Sequence, residues 1–181
     1  MNAPLSKRSK IKDILLRIKT NRIKTTQKSI AFKEIKTAAI FTGLHQYQQQ
    51  QKLIDQFVDN FKQSNIKVVL IILYPTKDPN TISNATSNGN LHLCLKDLSN
   101  IGFPKSERAN SWNASVDLFI NLNAAFSYAD MGMALASKAS YRVSPYLKEY
   151  KPYYNILLKA PQDEKLNDYL CSITDFFEHL Q

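Results

Sequence analysis

Ile66–Leu73 reads IKVVLIIL, a run in which Lys67 is the one polar residue. Aliphatic, largely β-branched residues in an unbroken run suit a strand covered on both faces. Such strands belong to parallel sheets with helices above and below. The run stops at Tyr74-Pro75. It is far shorter than the roughly 20 apolar residues a membrane helix needs, so no integral membrane span is expected.

The flanking segments fit the same plan. Thr37–Thr42 (TAAIFT) reads as a strand ending at Gly43, a turn signal. Leu53, Ile54, Phe57, Val58 and Phe61 recur at helical spacing, which predicts an amphipathic helix over about 46–64. Residues 76–90 (TKDPNTISNATSNGN) form a polar loop, and Leu91–Leu95 reads as a short edge strand. Ser99–Trp112 reads as loop, Val116–Leu122 (VDLFINL) as a buried strand, and Phe126–Ala139 as a helix. Tyr141–Val143 and Tyr154–Leu158 are short strands. Leu166, Tyr169, Leu170, Ile173, Phe176, Phe177 and Leu180 mark a closing helix. Strands alternating with helices predict a small Rossmann-like or flavodoxin-like three-layer α/β domain over residues 37–181. Its sheet should be mainly parallel, with four or five strands.

The charge is segregated. Residues 1–36 hold 11 Lys/Arg against 2 Asp/Glu, while residues 37–181 hold 13 of each. The first 36 residues therefore read as a basic helical arm on a neutral domain. Ile11, Ile14, Leu15 and Ile18 form a narrow apolar stripe, and Lys7, Arg8, Lys10, Lys12, Arg17, Lys19, Arg22 and Lys24 crowd the remaining surface. A helix of this kind neutralises phosphates in RNA or DNA with little base readout. It could also lie on an anionic membrane, but no Trp, Tyr or Phe precedes Phe32 to anchor it there. The plainest alternative is a solvated helix whose charges serve solubility. A secretory signal is not expected, because no uninterrupted apolar stretch follows the basic residues. The arm is also Lys-heavy, unlike an Arg- and Ser-rich transit peptide. Cys94 and Cys171 suit reduced thiols, so a cytoplasmic location is expected.

In a parallel sheet of this class, ligands bind beyond the carboxyl ends of the strands, where strand order reverses. The residues predicted to fall there are Thr42, Gly43, Tyr74, Pro75, Asn121, Asn123 and Ser144. Loops at that edge are also polar simply because they are exposed. Gly43, Gly89, Gly102 and Gly132 make neither a dinucleotide fingerprint nor a P-loop, so no nucleotide cofactor is expected. His92 and Cys94 share a strand face. His45, Cys171 and His179 are scattered, with no paired ligand spacing, so no metal is expected either. Ser127 and Asp130 flank a helix start without a nearby histidine or a G-x-S-x-G elbow. Capping accounts for them, and no catalytic residue is assigned. Tyr141, Tyr146, Tyr150, Tyr153 and Tyr154 alternate with Arg142, Lys148 and Lys151. They suit stacking of single-stranded bases, although packing against the sheet is the favoured role.

Four runs carry a resemblance: FKEIKTAAIFTG, KVVLIILYP, VDLFINLNAAFSYADMGMALASKASYRVSPY and YYNILLKAPQDEKLNDYLCSITDFF. Together they resemble a small family of Bacteroidota proteins of unknown function, over most of the chain from about residue 32. The resemblance implies Asp at the positions of Asn121 and Asn155 and Gly at Ser144, and it supplies no catalytic residue. The run DLFINLNAAFSYADMGMALASKASYRVS is fainter in its likeness, to half of a heptosyltransferase-like glycosyltransferase, and implies fold alone.

Two functions are expected from these readings. The first is a non-enzymatic α/β protein held on RNA or a ribonucleoprotein, such as a ribosome, by its basic arm while the neutral domain contacts protein. The alternative is a small-molecule-binding or enzymatic Rossmann-like domain using the crevice at Thr42, Gly43, Tyr74, Asn121, Asn123 and Ser144.

Overall fold

A computed structural model describes Lys12, Leu15, Leu16 and residues 31–82, 90–112, 116–158 and 166–179. Among these residues one parallel sheet has the order β3-β2-β1-β4-β5-β6. Its strands are β1 (Thr37–Gly43), β2 (Lys67–Tyr74), β3 (Leu91–Cys94), β4 (Leu118–Asn121), β5 (Tyr141–Pro145) and β6 (Ile156–Leu158). Every neighbouring pair is parallel. The protein is thus α/β, with a Rossmann-like sheet. The sheet has six strands rather than four or five, because the outermost two, of three and four residues, also pair.

Helices lie on both faces. Helix α1 (Leu44–Gln63) follows β1, and α2 (Glu107–Asn110) precedes β4. Helix α3 (Tyr128–Ala136) follows β4, and α4 (Leu166–Glu178) closes the described chain. The strand period of two divides each aliphatic run between two cores. Ala38, Ile40, Leu70, Ile72, Leu118 and Ile120 meet Ile54, Phe57 and Val58 of α1 and Tyr169, Leu170 and Ile173 of α4. Ala39, Phe41, Ile71 and Phe119 point the other way, to Met131, Met133 and Leu135 of α3. That is why the β2 run is apolar at consecutive positions.

The second face also buries Tyr150, Tyr153 and Tyr154, so packing accounts for these three tyrosines, while Tyr146 stays 50% exposed. Two glycines make this face possible. The loop before α2 crosses α3 so closely that a Cβ on Gly132 would lie 2.3 Å from the carbonyl carbon of Gly102. Gly102 itself has φ +80°, and a Cβ there would meet the Tyr128 carbonyl.

The described part of the basic arm packs here too. Lys12, Leu15 and Leu16 are helical, and Leu16 is fully buried in the α3-side core. Leu15, expected on the apolar stripe, is 45% exposed instead. The reason is the partner. Lys12 and Leu16 stand one helical turn apart, and the Lys12 ammonium lies 4.8 Å from the Tyr128 ring centroid, so this face of the helix is the one turned to the domain.

Candidate functional site

The strand order reverses between β1 and β4. The chain leaves β1 into α1 on one face and β4 toward α3 on the other, so the carboxyl ends of the two strands part. A cavity of about 420 Å³ opens there, lined by Gly43–Gln46, Leu73, Pro75, Leu95, Asn123–Ser127 and Asp130. Leu95 and Phe126 on its lining are each 41% exposed, large apolar side chains left open to solvent. The Phe126 ring is fixed from behind, edge-on to Tyr128 at 5.3 Å and stacked on Tyr150 at 5.9 Å between centroids.

Polar groups order the floor. The Gly43 amide donates to Asn123 Oδ1 at 2.8 Å, and Asn123 Nδ2 donates to Asp130 Oδ1 at 2.9 Å. Gln46 Nε2 donates to the Leu122 carbonyl at 2.7 Å. Helix α1 starts at Gly43 with no side-chain cap and no acid in its first turn. Helix α3 is capped by Ser127, whose Oγ accepts from the Ala129 amide at 3.0 Å.

Asp130 is strongly perturbed at the crevice. It is 1% exposed, its Oδ2 accepts a short hydrogen bond from the Tyr150 hydroxyl, and its own carbonyl accepts from Tyr154 at 2.8 Å. Burial pushes the carboxyl up to about 7, against the opposing pull of hydrogen bonds from Tyr150, Asn123 and Asn121. Burial, then the facing Asp130, in turn drives the Tyr150 phenol well up.

The sequence-predicted crevice residues separate into three groups. Gly43, Pro75 and Asn123 line the cavity. Thr42, Asn121 and Ser144 are fully buried beneath it, where Asn121 Nδ2 lies 3.3 Å from Ser144 Oγ and the Asn121 carbonyl accepts from Tyr169 at 3.0 Å. Tyr74 points to the α1 side, its hydroxyl 3.1 Å from His92 Nδ1. Leu73, Leu95, Phe126 and Asp130 were not predicted to line a crevice. Asp130 has a sequence signal only as a possible cap, because Tyr150 approaches it from 20 residues away. Of the arm residues predicted to bind nucleic acid, Lys12 sits on Tyr128. Lys7, Arg8, Lys10, Arg17, Lys19, Arg22 and Lys24 lie outside the described residues.

Elsewhere, Asp97 joins the edge strand to α2. Burial alone would raise its carboxyl, but hydrogen bonds from the Cys94 amide, Ser106 and Arg108 outweigh burial and hold it low. His92 is pushed down by burial and by the nearby Arg108. Among the described residues, no three His, Cys, Asp or Glu side chains gather as metal ligands, and no helix is long and apolar enough to cross a membrane.

The chain matches a family pattern over residues 7–173. It belongs to a family of unknown function, DUF6913. The matched stretch takes in most of the basic arm, the whole sheet and the crevice. Neither a curated protein nor a solved structure matches this family member.

Proposed function

We propose that this DUF6913 protein binds a small molecule in the crevice between the carboxyl ends of β1 and β4. The observation that carries this reading is the cavity itself, about 420 Å³ at the reversal of strand order, with Phe126 and Leu95 left open on its lining. Apolar walls and a few converging polar groups describe a ligand with an apolar portion and hydrogen-bonding functions. Phe126 offers a flat face for a ring.

The test is a thermal-shift and equilibrium-dialysis panel of nucleosides, nucleotides, sugars and sugar phosphates, repeated with Ala124→Trp. Ala124 is exposed and lines the cavity, so the indole would fill the crevice at little cost to folding. A ligand that stabilises the protein and loses that effect in the variant supports the site. Silence across the panel, or stabilisation that survives Ala124→Trp, overturns it.

A second reading concerns the arm: retention on RNA or a ribonucleoprotein through Lys7, Arg8, Lys10, Lys12, Arg17, Lys19, Arg22 and Lys24. The segregated charge supports it, 11 basic residues against 2 acidic in residues 1–36. Deleting the arm would be an ambiguous test, because it also withdraws Leu16 from the core. Replacing the basic residues other than Lys12 with Gln leaves Leu16 and the Lys12–Tyr128 contact in place. Filter binding of single-stranded RNA should then weaken and lose its steep salt dependence; unchanged binding would sink this reading.

A further inference from the structure

We propose that the Asp130–Tyr150 pair is a proton-binding site that sets the state of the crevice wall, so that ligands carrying hydroxyl or amine donors bind best when Asp130 is ionised. This rests on the reading of the crevice as a ligand site and adds its control by pH.

The Tyr150 oxygen has three neighbours. It bonds Asp130 Oδ2, lies 3.1 Å from the Ala125 carbonyl oxygen, and accepts from the Ser127 amide at 3.1 Å. A phenol has one hydrogen to give. With Asp130 ionised, that hydrogen goes to the carboxylate, and the Ala125 carbonyl does without it. With Asp130 protonated, the acid donates to the phenol oxygen, and the phenol hydrogen turns to Ala125. Ser127 donates in both states. The 124–127 segment is thus tied to Tyr150 by one hydrogen bond or by two. Ala125 and Ser127 both line the crevice. The proton therefore changes the wall: ionisation releases one additional acceptor, the Ala125 carbonyl, while the buried carboxylate keeps its bonds to Asn123 and Tyr150.

The surroundings permit this switch. Facing Asp130 are Asn121 and Asn123 from β4 and its loop, and Tyr150 and Tyr154 between β5 and β6, while Ser127 at the start of α3 faces Tyr150. The Tyr169 hydroxyl of α4 donates to the Asn121 carbonyl and its ring faces Tyr154, as does Arg142 of β5, and His45 of α1 lines the same cavity. Among the described residues no Lys or Arg forms an ion pair with Asp130, whose burial is therefore uncompensated by a cation and places its titration near 7.

An NMR titration of the full-length protein from pH 5 to 9, without ligand, tests the pair. The backbone amides of Phe126 and Ser127 should shift together with the Asp130 side-chain carboxyl, with one midpoint near 7. Asp130→Asn should abolish the shift, and His45→Gln should leave it intact. An Asp130 carboxyl that titrates in the ordinary acidic range overturns the proposal, and that measurement needs only the wild-type protein. A shift that persists in Asp130→Asn overturns it as well. Because no ligand is present, a silent ligand panel would fail the crevice reading without touching this result. Where a panel ligand with hydroxyl or amine donors binds, its Kd should tighten by at least threefold from pH 6 to 8 in wild type and stay flat in Asp130→Asn. Weakening over the same interval would refute the acceptor argument.

Discussion

At their amino ends β1 and β4 are drawn together by Asp117, whose Oδ2 accepts from the Lys36 and Thr37 amides, both at 2.9 Å, and from Thr37 Oγ1 at 2.8 Å. The Asp117 amide returns a bond to Thr37 Oγ1 at 3.0 Å. At their carboxyl ends the same two strands part around a cavity, bridged by the Asn123 side chain between Gly43 and Asp130. The difference lies in the path of the chain at each end. Near the amino ends a single carboxylate satisfies several donors at once and closes the gap. At the carboxyl ends the chain departs to opposite faces, and side chains cannot refill the space the backbone vacates. One end of the pair is a clasp, and the other is an opening.

Breaking each end in turn sharpens that contrast. The largest expected effect is on pH dependence at the open end. Asp130 has its folded pKa raised to about 7, so the folded state holds a proton that the unfolded state releases from about pH 4 upward. Its stabilising contribution is full below that range and declines as pH rises toward 7, by up to about 4 kcal/mol. His92, with its pKa lowered, pulls the other way just below its ordinary titration range, so the diagnostic quantity is the difference between proteins. Urea midpoints of wild type and Asp130→Asn should diverge in slope between pH 4 and 7, with the variant flatter. Parallel curves would deny Asp130 its buried proton.

Next comes Gly132→Ala, whose added carbon meets backbone at 2.3 Å. Forcing apart α3 and the Gly102 loop should cost about 3 kcal/mol in chemical denaturation. A variant as stable as wild type would mean that the wall of the open end is not held by that contact. Asp117→Ala should cost about 2 kcal/mol, because the Thr37 and Lys36 amides lose a charged acceptor. It should leave any crevice ligand's affinity unchanged, and a parallel loss of affinity would show the two ends to be coupled. Phe126→Ala should cost about 1 kcal/mol, since the ring is 41% exposed but packs on Tyr128 and Tyr150, and it should weaken ligand binding. A Phe126 variant that binds as well as wild type would remove the ring from the site.

Much of the fold could be read from local pattern. The run at residues 67–74 forms a strand covered on both faces, and the stripe from Leu53 to Phe61 forms α1. The arm was harder. Leu15 and Leu16 are equally apolar neighbours, and helical spacing alone favours Leu15 with Ile11, Ile14 and Ile18. Tyr128, over 100 positions along the chain, turns the Lys12–Leu16 face inward. The crevice divided similarly. Gly43 and Asn123 are legible because they lie at or just past the strand ends at the reversal, whereas Thr42, Asn121 and Ser144 fall in the last two positions of their strands and are buried without lining the cavity.

The sequence by itself determined the class of fold and the partition of charge, since both arise from residue type and spacing along a local stretch. Tertiary structure decided which apolar residues stay open at the crevice, which arm leucine is buried, and that Asp130 meets Tyr150 in a desolvated place. Burial and pKa depend on neighbours brought from far along the chain. Two ends of a strand that look alike in sequence can therefore close in one place and open in the other.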